Sequence, residues 1–89
     1  MYELFYTSKF KKDLKKFKSD FVLIGGFLKG LQEKGVQGVP IKMKPHRLRG
    51  NYKDNWECHI KPNLLVIWFQ IENPKKITLV RIGSHSDLF

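Results

Sequence analysis

KDNWECHIKPNLLVIWFQIENPKKITLVRI, residues 53–82, is the stretch on which the fold turns. Its apolar runs, Lys53 to Lys61, Leu64 to Ile71 and Ile77 to Ile82, are rich in β-branched and aromatic residues and are parted by Pro62-Asn63 and Asn73-Pro74. Proline lacks an amide donor and asparagine tolerates turn backbone, so the pairs read as turns and the runs as strands. Connections this short return the chain beside itself, which predicts an antiparallel meander. A further run, His46 to Arg49, precedes Gly50-Asn51 and extends the meander at its start.

Working outward, the segment from Gly35 to Pro45 carries Gly35, Gly38, Pro40 and Pro45, too many breakers for a helix, and reads as a loop. Before it, Phe21, Ile24, Leu28 and Leu31 recur at helical spacing as far as Lys34, with Ser19 or Asp20 available as N-cap. Gly25 and Gly26 each cost such a helix about 1 kcal/mol relative to alanine, so it is expected to lean on tertiary packing or to bend there. An earlier helix is predicted from Thr7 or Ser8, with Phe10, Leu14 and Phe17 on one side and Lys11, Lys12, Lys15, Lys16 and Lys18 on the rest of its surface. Tyr2 to Tyr6 alternates and suits a first strand. The expected fold is α+β: an N-terminal strand and a helical hairpin packed on a mainly antiparallel twisted sheet, as a single domain over residues 1–89.

Charge is the strongest compositional signal. There are 17 Lys+Arg against 8 Asp+Glu, a formal net charge of +9. Such a field draws polyanions, whether nucleic acid or an acidic protein. Cys58 is the single cysteine, so no internal disulfide is possible, and no paired-cysteine zinc site exists. Together with the lack of a cleavable apolar leader near Met1, this places the expectation in the cytoplasm. The longest apolar run, Leu64 to Phe69, is far short of the roughly 20 residues a membrane-spanning helix needs.

Several chemistries drop out. The chain has no glycine-rich phosphate loop, no G-x-S-x-G elbow and no H-E-x-x-H, which removes nucleotide hydrolysis and zinc proteolysis. The histidines, His46, His59 and His85, are spaced too widely for a one-helix metal motif, and no metal or other cofactor is expected. Each falls at or near the end of a predicted strand, beside Arg47, Arg49, Lys53, Lys61 and Arg81, where an RNA phosphate would be drawn. Cys58 and His59 are adjacent in a strand and so point to opposite faces, which makes the thiol a buried group rather than a partner of the imidazole. Trp68 is expected in the core and Phe89 as a stacking surface.

The segments His46-Arg47-Leu48-Arg49-Gly50, Glu57-Cys58-His59-Ile60-Lys61-Pro62-Asn63-Leu64-Leu65-Val66 and Val80-Arg81-Ile82-Gly83-Ser84-His85-Ser86-Asp87-Leu88-Phe89 resemble, in order and spacing, the YafQ branch of the RelE toxin family. The resemblance covers most of the second half of the chain; the helical hairpin agrees in predicted architecture alone. It implies the toxin of a type II toxin–antitoxin pair, a ribosome-dependent endoribonuclease (an mRNA interferase) held inactive by an acidic antitoxin. Its catalytic groups would be His46, His59, Arg81 and His85, with Arg81 on the phosphate and Phe89 as the C-terminal aromatic. Asn63 stands where the family often has an aspartate, and Trp56 where it often has an arginine, which implies weakened activity or a redistribution of roles among the histidines. The rival expectation is a non-catalytic RNA- or ribosome-binding protein of the same fold; a DNA-binding regulator is disfavoured because no helix-turn-helix signature appears.

Overall fold

A computed structural model describes all 89 residues, Met1–Phe89. Strands β1 (Glu3–Tyr6), β2 (His46–Arg47), β3 (Trp56–Lys61), β4 (Leu64–Glu72) and β5 (Lys75–Gly83) form one sheet in the order β1-β5-β4-β3-β2. The meander is antiparallel throughout, β2 with β3, β3 with β4 and β4 with β5, while β1 lies parallel to β5. A parallel neighbour requires a long crossover. The helical hairpin and the loop after it supply part of that route between β1 and the rest of the sheet. Strand β4 is central and buried on both faces from Leu64 to Trp68, which explains why its sequence is a continuous apolar run instead of an alternation.

Helices α1 (Ser8–Leu14) and α2 (Phe21–Lys34) cover one face of the sheet. Phe10, Ile24, Phe27 and Leu31 meet Cys58, Val66, Trp68, Ile77, Leu79 and Ile82 in the main core. Trp68 is wholly buried, with Phe27 edge-on at 6.0 Å and Trp56 stacked at 6.5 Å. Thr7 caps α1, its hydroxyl accepting from the Phe10 amide at 3.0 Å. Gly35 closes α2 in the left-handed region, φ +62°, packed so tightly on Tyr2 and Gln70 that a Cβ would come within 2.9 Å of the Tyr2 ring.

Several details go beyond or differ from the sequence-based expectation. The first helix stops at Leu14 and runs on as a tighter 3-10 segment, Lys15–Asp20, with a kink at Phe17. Neither Ser19 nor Asp20 caps α2 through its side chain, because that 3-10 turn leads straight into the helix and the Asp20 carboxylate instead receives Lys61 Nζ at 3.0 Å. Gly25 and Gly26 sit inside an unbroken α2 that leans on the core through Ile24, Phe27 and Leu31, the first of the two expected outcomes. The loop from Gly35 contains two short 3-10 turns, Gly35–Gly38 and Ile41–Met43. Beyond the last expected strand, where the sequence reading assigned no element, Ser84 and Asp87 form a reciprocal capping box that starts a one-turn helix, α3 (His85–Leu88).

Candidate functional site

The face of the sheet turned away from α1 and α2 carries three of the sequence-predicted residues, His46, His59 and Arg81, whereas Arg47, paired with Trp56, and Lys61, paired with Leu64, lie on the helix side. Directly paired residues share a face, and the register sets His46 opposite Glu57, Glu57 opposite Ile67, and Ile67 opposite Arg81. These residues make one rank across β2, β3, β4 and β5, spanning three strand spacings, roughly 14 Å. The next rank is His59, Leu65 and Gly83, with His85 two residues further on. Beneath them Leu65, Ile67 and Leu88 form a second, smaller apolar cluster against Leu48, Tyr52 and Val80. The C-terminal turn thus covers one end of this face and brings His85 to it.

Arg81 reaches this face through an irregularity. Leu79 pairs with Trp68 and Arg81 with Ile67, so Val80 is an extra, unopposed residue in β5. Strict alternation from the buried Ile77 and Leu79 would turn Arg81 toward the helices. The extra residue shifts the phase, sending Ile82 into the main core and Arg81 to the histidine face. Beyond the end of β1, the exposed edge of β5 is covered by α1: the Thr7 hydroxyl donates to the Val80 carbonyl at 2.9 Å and Asp13 accepts from the Ile82 amide at 3.1 Å. The same Asp13 carboxylate grips Arg81, accepting from Nε at 2.7 Å and Nη2 at 3.1 Å. These hydrogen bonds raise the Arg81 pKa above its already high ordinary value, against an opposing effect of partial burial.

Of the histidines, His46 is the most constrained. Its Nε2 lies 3.2 Å from Glu57 Oε1 and its Nδ1 2.8 Å from the Lys44 carbonyl oxygen, so each ring nitrogen faces an acceptor. Glu57 is buried, and its other oxygen, Oε2, has no hydrogen-bond partner. A buried carboxylate with a bare oxygen is costly and requires a functional or structural reason. His59 is half-buried, with Nδ1 3.4 Å from the Pro62 carbonyl. His85 is exposed, its amide 3.5 Å from Asn63 Oδ1 and its ring 5.1 Å from that of Phe89. Phe89 remains half-exposed against Tyr52 at 5.5 Å. Arg47 lies over the Trp56 ring at 5.0 Å, while Arg49 and Lys53 are exposed around the turn Gly50–Tyr52. Lys61 is tied to Asp20.

The register therefore gathers His46, His59 and Arg81 on one face, and α3 adds His85; no hydrogen bond joins one of these side chains to another. Sequence reasoning missed Glu57 and Asp13, the acids that hold His46 and Arg81. Both had a signal: Glu57 alternates in phase with His59, and Asp13 is the lone acid in a lysine-rich helix. Cys58 turns to the helix side, wholly buried, and burial pushes its thiol up to about 12.

A helical hairpin on one face of a five-stranded mixed sheet, with histidines ranked beside an anchored arginine on the other, defines the class as a small, strongly cationic α+β protein. The family model for the bacterial toxin of type II toxin–antitoxin systems, YafQ, matches residues 2–89, and the chain belongs to that family. Among solved structures, a metal-bound toxin from Helicobacter pylori is 37% identical over 100% of both chains, with a TM-score of 0.85. YafQ from E. coli strain BL21(DE3), 22% identical over 100% of this chain and 99% of its own, superposes with a TM-score of 0.88. The toxin of the E. coli DinJ-YafQ toxin–antitoxin complex, 23% identical over 99% of this chain and 97% of its own, gives 0.85. The search of curated proteins finds no match. No helix is long and apolar enough to cross a membrane.

Proposed function

We propose that this toxin is an endoribonuclease that cuts messenger RNA on the ribosome by attack of a ribose 2′-hydroxyl on the adjacent phosphodiester, the whole chain acting as one catalytic domain in the cytoplasm. The carrying observation is the cross-strand rank that sets His46, Glu57 and Arg81 on the face that also holds His59 and His85. Cleavage forms a bond from the 2′-oxygen to phosphorus and breaks the bond from phosphorus to the 5′-oxygen. One group must take the 2′-proton and another must give a proton to the departing oxygen. Histidine titrates near neutrality and suits both transfers, which are assigned to His59 and His85. Arg81, its fork pre-aimed by Asp13, meets the phosphorane charge. His46 joins the proton transfers or positions the backbone, held by Glu57; Asn63 cannot serve as a base. Arg47, Arg49, Lys53 and Lys61 draw the RNA, and Phe89 offers a stacking surface.

Two of the similar solved structures are Helicobacter pylori toxins with metal bound, one of them a copper-bound mutant. In this chain no three His, Cys, Asp or Glu side chains converge on a point that would hold an ion. Since YafQ from E. coli was solved in complex with DinJ, an acidic antitoxin is the proposed protein partner, competing with RNA for the same positive field. The test is end-group analysis of cleaved RNA beside His85→Ala. Wild type should leave 2′,3′-cyclic phosphate and 5′-hydroxyl ends, and the variant should cut about 10²-fold more slowly while still binding the ribosome. Recovery of 5′-phosphate ends, or an undiminished rate in the variant, overturns the assignment. Ribosome binding with no cleavage by wild type would favour the non-catalytic alternative.

A further inference from the structure

Beyond the histidine face, α1 presents a second cationic feature. Lys9 and Lys12 on α1 and Lys16 on the 3-10 segment that continues it succeed one another three and four residues apart, and with Asp13 and Arg81 they line a cleft of about 260 Å³ that contains no hydrophobic residue. The apolar side of the helix, Phe10, Leu14 and Phe17, is turned into the core, while Lys11, Lys15 and Lys18 project elsewhere on the surface. The cleft is not charge-balanced. Its one acid, Asp13, is spent on Arg81 and the Ile82 amide, and none of the three lysines takes part in an ion pair. Asp87 lies near enough to Lys16 and Arg81 for them to lower its pKa, but Ser84 is the larger cause and holds its carboxylate in the capping box.

Arg81 belongs to both places. It stands in the rank with His46, Glu57 and Ile67, and it forms a wall of the cleft. Asp13 engages Nε and Nη2 and leaves Nη1 clear of its carboxylate, while the Tyr52 side chain also stands close to the guanidinium. A polymer whose scissile phosphate sits against Arg81 would therefore carry its neighbouring phosphates past the lysines. We propose that the Lys9–Lys12–Lys16 cleft is a binding site for phosphodiesters flanking the scissile one, so that the RNA strand runs from the histidine face across Arg81 and along α1. This rests on the nuclease function proposed above and extends it to the path of the substrate. Phosphate, not an acidic side-chain cluster, is favoured because evenly spaced cations along a groove match a regularly charged backbone.

The test uses the full-length toxin and a short single-stranded RNA with its 2′-hydroxyls methylated, which binds but cannot be cut. Affinity is measured against salt for wild type, for Lys9→Gln/Lys12→Gln/Lys16→Gln, and for the equal-charge control Lys11→Gln/Lys15→Gln/Lys18→Gln. For single strands, each phosphate that a cation no longer neutralises reduces the slope of log affinity against log salt by about 0.7, so the cleft variant should have a slope shallower by about 2. Between 50 and 200 mM salt the wild-type affinity should then fall about 20-fold further than that of the cleft variant. The control should keep the wild-type slope. Equal slopes for the two triple variants, with wild type still binding and cleaving RNA, overturn the cleft and leave the nuclease function standing. Absence of both RNA binding and cleavage in wild type overturns the two together. A cleft variant that keeps its RNA slope but loses its antitoxin overturns the assignment in favour of a protein-docking role.

Discussion

Asp13→Ala is expected to be the most damaging single change at the surface of α1, because one carboxylate there serves three donors. It accepts from Arg81 Nε at 2.7 Å, from Arg81 Nη2 at 3.1 Å and from the Ile82 amide at 3.1 Å. Truncation leaves the buried amide without an acceptor, a loss of about 1–3 kcal/mol. Breaking a buried ion pair costs about 3–5 kcal/mol when the surviving charge stays buried. Arg81 retains 22% of its side-chain exposure and can turn toward water, so only a part of that applies. The expected total is about 2–4 kcal/mol, which for a domain of this size lowers Tm by roughly 10–25 °C. Urea unfolding should show a lower midpoint at an unchanged slope, and amide exchange should show Ile82 deprotected. Asp13→Asn keeps an acceptor for Ile82 and loses the ion pair, so it should fall between the two. A cost below about 0.5 kcal/mol for Asp13→Ala would refute the view that this carboxylate fastens α1 to the edge of β5.

Gly35→Ala should destabilise by more than about 1 kcal/mol in thermal unfolding, because a side chain there is strained at φ +62° and would crowd Tyr2 and Gln70. Gly26→Ala, in the middle of α2 with nothing within 4 Å of the new carbon, should instead stabilise by about 0.4–1 kcal/mol. Cys58 should resist alkylation at neutral pH and make stability fall under alkaline conditions. Its folded pKa of about 12 exceeds the usual 9.0, so the unfolded chain gives up this proton first and the contribution is lost as pH rises from about 9 toward 12. Comparison with Cys58→Ala isolates the effect from other alkaline titrations, and identical pH dependence in the two proteins would contradict it.

The meander is legible because its signals are local. Pro62-Asn63 and Asn73-Pro74 mark turns in the chain itself, and β3, β4 and β5 fall within a few residues of the expected limits. What lies outside local reach is set by tertiary contacts. The unbroken α2 retains Gly25 and Gly26 because Ile24, Phe27 and Leu31 bury its other side against the sheet. Asp20 has the residue type of an N-cap, but its carboxylate answers Lys61, 41 positions away. The capping box of Ser84 and Asp87 is also a local signal, three residues apart, in a segment beyond Ile82 to which the sequence reading assigned no element.

The site shows the same division more sharply. Pattern alone can bring His46 and His59 to one face, since β2 and β3 pair in simple register and Glu57 and His59 are two residues apart. Arg81 cannot be placed that way. In the sequence it follows Ile77 and Leu79 at even spacing, the position of a core residue, and the apolar Ile82 beside it would then face outward. The inserted Val80 reverses both, and the reversal stands because each outcome is favourable: Ile82 buries completely, Val80 packs on the Leu65–Ile67–Leu88 cluster, and the guanidinium finds Asp13. A bulge leaves backbone groups in need of partners, and here Thr7 and Asp13 answer the Val80 carbonyl and the Ile82 amide. The residues that make the irregularity tolerable are therefore on α1 and its cap, the helix that also carries the lysine cleft. Deleting Val80 would remove the bulge and set Arg81 directly after Leu79, so simple alternation would then keep Arg81 on the histidine face and Ile82 in the core, at the cost of the contact that Val80 makes with the Leu65–Ile67–Leu88 cluster.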